Sequence, residues 1–123
     1  MTIKRFPATA DNTITNAFKP NLSTRGTGSN MGASDILEVF SIYAQSTTSS
    51  TEAARILTNF SITNISSART DGDIPASGSV NFYLKMFNAE HPFTLPRDFK
   101  LMVVPISASW NEGNGLDMDE YTD

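Results

Sequence analysis

The stretch from residue 79 to 110 constrains the fold more than any other part of the sequence. Its first part alternates apolar and polar residues, which is typical of a β-strand with one buried face; the apolar positions are Val80, Phe82, Leu84 and Met86. Its second part, Phe99–Ile106, includes Val103 and is almost wholly apolar, as expected of a strand covered on both faces. Pro92 and Pro96 lie between the two parts, where a missing N–H breaks no ladder bond. The stretch therefore predicts two strands at the centre of a β-rich fold.

Shorter segments elsewhere repeat this pattern. Ile36–Ala44 fits a helix capped by Ser34 or Asp35, or a strand; its β-branched and aromatic residues favour the strand. Ile56–Ile62 predicts another strand, with Phe60 on its apolar face. Ser49–Glu52 fits a capping box, which predicts one helical turn over Glu52–Arg55.

Turn-forming residues separate these segments. Ala10–Thr13 predicts a turn, and Ser66–Gly78 predicts a connection rich in Asp, Gly and Pro. Residues 19–34, rich in Asn, Ser, Thr and Gly, predict a long loop of the kind that carries function or packs against a partner. Short strands with little helix indicate an all-β fold, an antiparallel β-sandwich of the jelly-roll type, as a single domain over residues 1–123.

Composition excludes several classes of protein. The chain has 123 residues, a net charge of −4 and a pI near 4.8, which argues against nucleic-acid or anionic-membrane partners. It has no cysteine, so disulfide frameworks and thiolate zinc sites are excluded. We expect neither a signal peptide nor a transmembrane span, because no apolar stretch of the required length occurs.

The residues do not predict an enzyme or a cofactor. His91 is the only histidine, and in an extended backbone the adjacent Glu90 would point to the opposite face. The sequence contains no nucleophile elbow, Walker loop, dinucleotide fingerprint or zinc-protease motif. A solvated turn residue is therefore the expected role of His91.

The acidic end of the chain is a candidate calcium site. Asp117, Asp119 and Asp123 offer the oxygen ligands that Ca²⁺ prefers. The glycine that would bend such a loop precedes the first of them, however, and the ligand series is incomplete. A solvated acidic segment is the favoured interpretation, with no metal expected.

Aromatic residues are candidate ligand contacts. Tyr83, Lys85 and Phe87 share the outward face of the first central strand if Val80 points inward, and aromatic rings on such a face can stack on sugars. Trp110 closes the second central strand, and we expect it to pack in the core or at the rim of the sandwich rather than bind a ligand.

Four segments, taken in order, resemble one family. They are FPATADNTITNAF, ARILTNFSI, IPASGSVNFYLKMFNA and VPISASWNEGNGLDMDEY. Together they resemble the DNRLRE-type β-sandwich, a domain related to carbohydrate-binding modules and found in virion proteins of tailed phages. The residues that carry the resemblance are Asp11 and Asn12, Arg55 and Phe60, Pro75, Gly78 and Val80 to Leu84, and Ser109, Trp110, Glu112 and Gly113.

The resemblance implies a non-enzymatic structural protein of a phage virion, located in the tail, the neck, a fibre attachment or the capsid surface. It implies other virion proteins and further copies of the chain as partners, and synthesis in the host cytoplasm. The alternative is a carbohydrate-binding module that adsorbs to host glycan. The family's domain continues with strands beyond the Trp-x-Glu-Gly signature, so we expect the sandwich either to continue past Asp123 or to be completed by strands from a neighbouring chain.

Overall fold

The computed structural model describes residues 3–26, 30–75, 78–92 and 98–116. These residues contain three strands and one helix: β1 (Ala8–Thr15), β2 (Ser41–Tyr43), β3 (Thr51–Phe60) and α1 (Ile62–Thr70). The strands form one antiparallel sheet in the order β1-β3-β2. The described part of the chain is thus mostly β-structure with one short helix, which is consistent with the predicted all-β class, and it contains no second sheet.

The chain divides into two units, which are described separately. The first comprises the described residues of 3–81 and 112–116, and it holds the sheet and the helix. The second comprises the described residues of 82–111.

β1 occupies the segment for which the sequence predicts a turn at Ala10–Thr13, so that prediction is wrong. Asn12 is paired with Leu57 of β3 and is buried. Its side chain accepts a hydrogen bond from the Met31 backbone N–H at 3.2 Å and donates one to the Glu112 carbonyl oxygen at 2.6 Å. Asparagine favours turns because its side chain forms hydrogen bonds with nearby backbone groups. Here the Asn12 side chain forms them with distant backbone groups instead.

β3 is the central strand. The predicted strand at Ile56–Ile62 is confirmed as far as Phe60, but the helical turn predicted over Glu52–Arg55 is wrong, because those residues belong to the same strand. Glu52 pairs with Ile42 of β2, and Ala54 pairs with Thr15 of β1. Pairing on both sides satisfies the backbone more completely than one isolated helical turn would.

β2 is shorter than the predicted strand at Ile36–Ala44. Only Ser41–Tyr43 forms a strand. The backbone N–H of Glu38 is bound at 2.9 Å by the side-chain hydroxyl of Thr13, and Ala44 has a positive φ of 60°. These two residues flank the strand, and the regular pairing with β3 covers three of the residues between them, Ser41–Tyr43.

α1 lies where the sequence predicts the end of a strand followed by a connection. Its N-cap is Ser61, whose side chain accepts the backbone N–H of Asn64 at 3.2 Å. At the other end, Asp71 donates its backbone N–H to Ser67 and Gly72 adopts a φ of 80°. Asp71 and Gly72 do form a turn, as predicted, but this turn ends a helix rather than linking two strands.

The buried residues of the first unit are few among those described. The apolar ones are Met31, Ala54, Ala68 and Ile74, and the polar ones are Asn12, Thr13 and Glu52. Three of these seven buried residues are therefore polar, and only Met31 and Ile74 are large hydrophobic ones.

Residues 80–92 and 98–111 contain no strand, which corrects the prediction of two central strands. Phe82 is 61% exposed and Val103 is 76% exposed, and Leu84 and Met86 are also exposed; Val80 is half-buried. An alternating pattern identifies the face of a strand, but the strand forms only where a neighbouring strand and a packing layer are present. Within the single chain, the described residues offer this stretch neither.

Candidate functional site

The second unit exposes an unusually large amount of apolar surface. Between 82 and 106, eleven large apolar side chains are exposed among the described residues: Phe82, Tyr83, Leu84, Met86, Phe87, Phe99, Leu101, Met102, Val103, Val104 and Ile106. We call the described segments 80–92 and 98–111 the two arms. A large apolar side chain that remains in water forgoes about 1.5–3 kcal/mol of burial free energy, so exposed surface of this kind marks an interaction site.

The backbone of the arms is also unpaired. No backbone N–H or carbonyl group of residues 80–92 or 98–111 makes a hydrogen bond within the described part of the chain. Extended backbone with free donors and acceptors is a template for strand pairing with another segment. The arms thus combine the side-chain pattern of strands with unoccupied strand edges.

The three candidate ligand residues lie together in the first arm. Tyr83 is 86% exposed and Phe87 is 82% exposed. The ammonium Nζ of Lys85 lies 4.8 Å from the centroid of the Phe87 ring, within the range of a cation–π contact. The structure therefore brings Lys85 and Phe87 together and leaves Tyr83 open to solvent.

Glu112 anchors the chain where the second arm ends. Its Oε1 accepts the backbone N–H of Asp11 at 2.8 Å, and its carbonyl oxygen accepts the side-chain amide of Asn12. The side chain of Asn30 completes this anchor, because its Oδ1 accepts the backbone N–H groups of Gly32 and Gly115, each at 2.9 Å. These bonds fix residues 112–115 against β1 and against residues 30–33.

Two glycines make that close approach possible. A Cβ atom on Gly32 would overlap the carbonyl group of Glu112, so only glycine fits there. Gly113 has a φ of 76°, and a Cβ atom on it would overlap the Asn30 side chain. Residues 112–115 are therefore held in place by a loop about 80 residues earlier in the chain.

Glu52 holds the beginning of the long loop to the sheet. It is 2% exposed, and its Oε2 accepts the backbone N–H of Phe18 at 2.8 Å. Its other oxygen, Oε1, is buried without a hydrogen-bond partner. The guanidinium group of Arg25 stacks on the Phe18 ring at 3.7 Å and donates to the Thr51 carbonyl oxygen, which closes the loop over the strand.

The other predicted site residues are dispersed. Arg55 is exposed on β3, and Phe60 and Trp110 are half-buried. The calcium candidates Asp117, Asp119 and Asp123 lie outside the described residues. Among the described residues, no three His, Asp or Glu side chains are grouped so that they could hold a metal ion.

His91 is half-buried, and it makes no hydrogen bond or ion pair with a carboxylate in the described part of the chain. Over the same residues, no helix combines the length and apolar character needed to cross a bilayer.

Sequence reasoning missed the roles of Asn12, Asn30 and Glu52. Asn12 has turn chemistry, Asn30 lies in a loop of similar polar residues, and Glu52 fits a capping box. Each role depends on a partner between 19 and 100 positions away, and no local pattern identifies such a partner. Asn12 and Glu112 were singled out only through the family resemblance, which assigned neither of them this role.

Comparison with known proteins gives no further assignment: no protein-family model, curated protein or solved structure matches this chain.

Proposed function

We propose that this chain is a non-enzymatic structural protein that acts through protein–protein interfaces. Guided by the resemblance described above, we propose a component of a phage virion, in the tail, the neck, a fibre attachment or the capsid surface. Its arms would complete a jelly-roll-like β-sandwich together with a neighbouring chain. The observation that carries the proposal is the exposure of large apolar side chains along both arms, from Phe82 to Ile106.

The exposed apolar area of the arms supports an interface rather than an ordinary protein surface. Each exposed side chain presents on the order of 100 Å², so the arms together present roughly 1,000 Å² of apolar surface. The largest apolar patch of a typical monomer is roughly 300–600 Å², and one side of a standard protein interface is about 800 Å². The arms are therefore large enough to form one side of a stable contact.

The virion assignment has a direct test. Particles purified by density gradient from an infected culture that expresses this chain are analysed by quantitative mass spectrometry. We expect its peptides in several copies per particle, in fixed ratio to the major capsid protein. Accumulation of the chain in the soluble fraction, with none in the particles, would overturn the assignment.

A second candidate function is supported by the first arm. Among the described aromatic side chains of the second unit, Tyr83 and Phe87 are the two most exposed, and Lys85 lies over the Phe87 ring. Exposed aromatic rings beside a hydrogen-bond donor suit stacking on a sugar, so a carbohydrate-binding module for host glycan is the alternative.

A glycan array probed with the labelled chain tests that alternative. Binding that is lost in Tyr83→Ala and kept in Tyr43→Ala would favour the sugar-binding module. Tyr43 is a suitable control because it is 69% exposed but lies on β2, outside the arms. An array without signal for the parent chain rejects glycan binding.

A further inference from the structure

We infer that the two arms become β-strands only when two copies of this chain meet, so that the second apolar layer is built between copies. The inference rests on the proposed function and names the partner at that interface. It draws on three properties of the arms: their unpaired backbone, the faces on which their apolar residues lie, and their charge.

The unpaired backbone requires a partner with free strand edges. Residues 80–92 and 98–111 have no backbone hydrogen bonds within the described chain, so each arm offers donors and acceptors along its length. The three-stranded sheet offers much less. β1 has its outer edge blocked where Asp11 N–H binds Glu112, and β2 is only three residues long. The longest free edges in the described chain are those of the arms themselves, and a second copy supplies the same edges to them.

The alternation defines which face would be covered. Phe82, Leu84 and Met86 lie at one parity, and Tyr83 and Lys85 lie at the other. If the first arm becomes a strand, Phe82, Leu84 and Met86 share one of its faces. That face can pack against the arms of a partner copy, while Tyr83 and Lys85 on the other face remain in water. Phe99–Ile106 lacks this alternation and suits the covered centre of the assembly.

The charge of the arms suits a contact between identical copies. The arms contain two basic and two acidic residues, Lys85 and Lys100 against Glu90 and Asp98. The negative charge of the chain therefore lies outside the arms, and two copies of this segment meet with little repulsion. The nine exposed apolar side chains of the arms other than Tyr83 and Phe87, at about 100 Å² each, still approach the roughly 800 Å² per partner of a standard interface.

A pair of adjacent substitutions tests the inference in the full chain. Phe82→Glu places a charge on the face expected to be covered, and Tyr83→Glu places it on the opposite face. Both side chains are exposed in the single chain, so neither substitution removes a buried contact there. Ile62→Glu is the control outside the arms, because Ile62 is exposed at the first position of α1, where an acidic residue is favourable.

Sedimentation velocity over a range of concentrations measures the dissociation constant. We expect the parent to dimerise, Phe82→Glu to raise the dissociation constant roughly tenfold or more, and the other two variants to change it less than about threefold. Circular dichroism confirms that each variant retains its sheet and helix. A parent chain that is monomeric at all concentrations overturns the inference, and so do equal effects of Phe82→Glu and Tyr83→Glu, which would indicate nonspecific adhesion.

Hydrogen exchange gives a second measurement. Backbone amides of 80–91 and 98–111 should gain protection as protein concentration rises, while those of β3 stay protected throughout. Protection that does not depend on concentration would mean that the arms pair within their own chain, and it overturns the inference. If the chain is monomeric but is still found in purified particles, the inference that a second copy is the partner is rejected, and the proposed function is retained.

Discussion

The backbone N–H of Asp11 donates a hydrogen bond to the carboxylate of Glu112 at 2.8 Å, across 101 positions of the chain. This bond joins the edge of β1 to the point where the second arm ends. It lies beside the Asn12 and Asn30 side chains, which bind the same short turn.

Removal of the Glu112 side chain should destabilise the first unit. Glu112→Ala leaves the Asp11 N–H without its acceptor, and we expect a loss of about 1–3 kcal/mol in the free energy of unfolding. Glu112→Gln keeps an acceptor oxygen and should lose less. Urea unfolding measures both, with Glu90→Ala as an exposed control that makes no hydrogen bond in the described chain. Equal midpoints for Glu112→Ala and Glu90→Ala would contradict the anchor.

Substitution of Gly32 tests whether lack of space for a Cβ atom, rather than an unusual backbone conformation, requires glycine at this position. In Gly32→Ala the new methyl group overlaps the Glu112 carbonyl, and overpacking of this kind costs about 1–3 kcal/mol or more. Gly72→Ala is the matched control, since Gly72 has a φ of 80° and open space around it, so it suffers only the left-handed strain of about 1–2 kcal/mol.

The two variants differ in a second measurable way. Gly32→Ala should weaken the contact with residues 112–115 and speed hydrogen exchange at the Gly115 amide, whereas Gly72→Ala should not. Unchanged exchange at Gly115 in Gly32→Ala would show that residues 112–115 do not depend on this close approach.

The buried carboxyl group of Glu52 should matter for its bond to the loop more than for its charge. Glu52→Gln keeps an oxygen for the Phe18 N–H and removes a charge from a site with an unpaired oxygen, so we expect stability within about 1 kcal/mol of the parent. Glu52→Ala removes the acceptor and leaves a cavity, with an expected loss of about 2–3 kcal/mol. Thermal unfolding of the two variants checks the order, and Glu52→Gln as damaging as Glu52→Ala would refute it.

Truncation of Phe82 tests whether the first arm is exposed in the single chain or packed in a sandwich core. At concentrations below self-association, Phe82→Ala should change the free energy of unfolding by less than about 0.5 kcal/mol, because the side chain is exposed. A Phe in a packed core costs about 3–5 kcal/mol on truncation to Ala. Denaturant unfolding of the dilute chain distinguishes the two values, and a loss in the upper range would place Phe82 in the core of its own chain.

The α1 cap offers a local test. Ser61→Ala removes the acceptor for the Asn64 N–H and should cost about 1 kcal/mol. Ser66→Ala changes an exposed mid-helix serine to a better helix former and should be neutral or slightly stabilising. Helical content by circular dichroism and the unfolding midpoint report both changes. Equal effects would mean that Ser61 does not cap the helix.

Local sequence pattern indicates where β-structure is favoured and which faces of it are apolar. The alternation and β-branched residues around Ile56 correctly predicted much of β3, and the strand preference of Ile36–Ala44 was confirmed at Ser41–Tyr43. These features depend on residues that are close in sequence, so local pattern is sufficient to recognise them.

Contacts between residues far apart in the chain determine which of these segments pair with another strand. Asn12 lies in a strand rather than a turn because residues 31 and 112 supply its hydrogen bonds, and Glu52 lies in a strand because Ile42 of β2 pairs with it. The arms have the stronger strand pattern but no partner within the described chain, so they stay irregular and exposed. A side-chain pattern specifies a face, whereas a strand also requires another backbone to complete its hydrogen bonds.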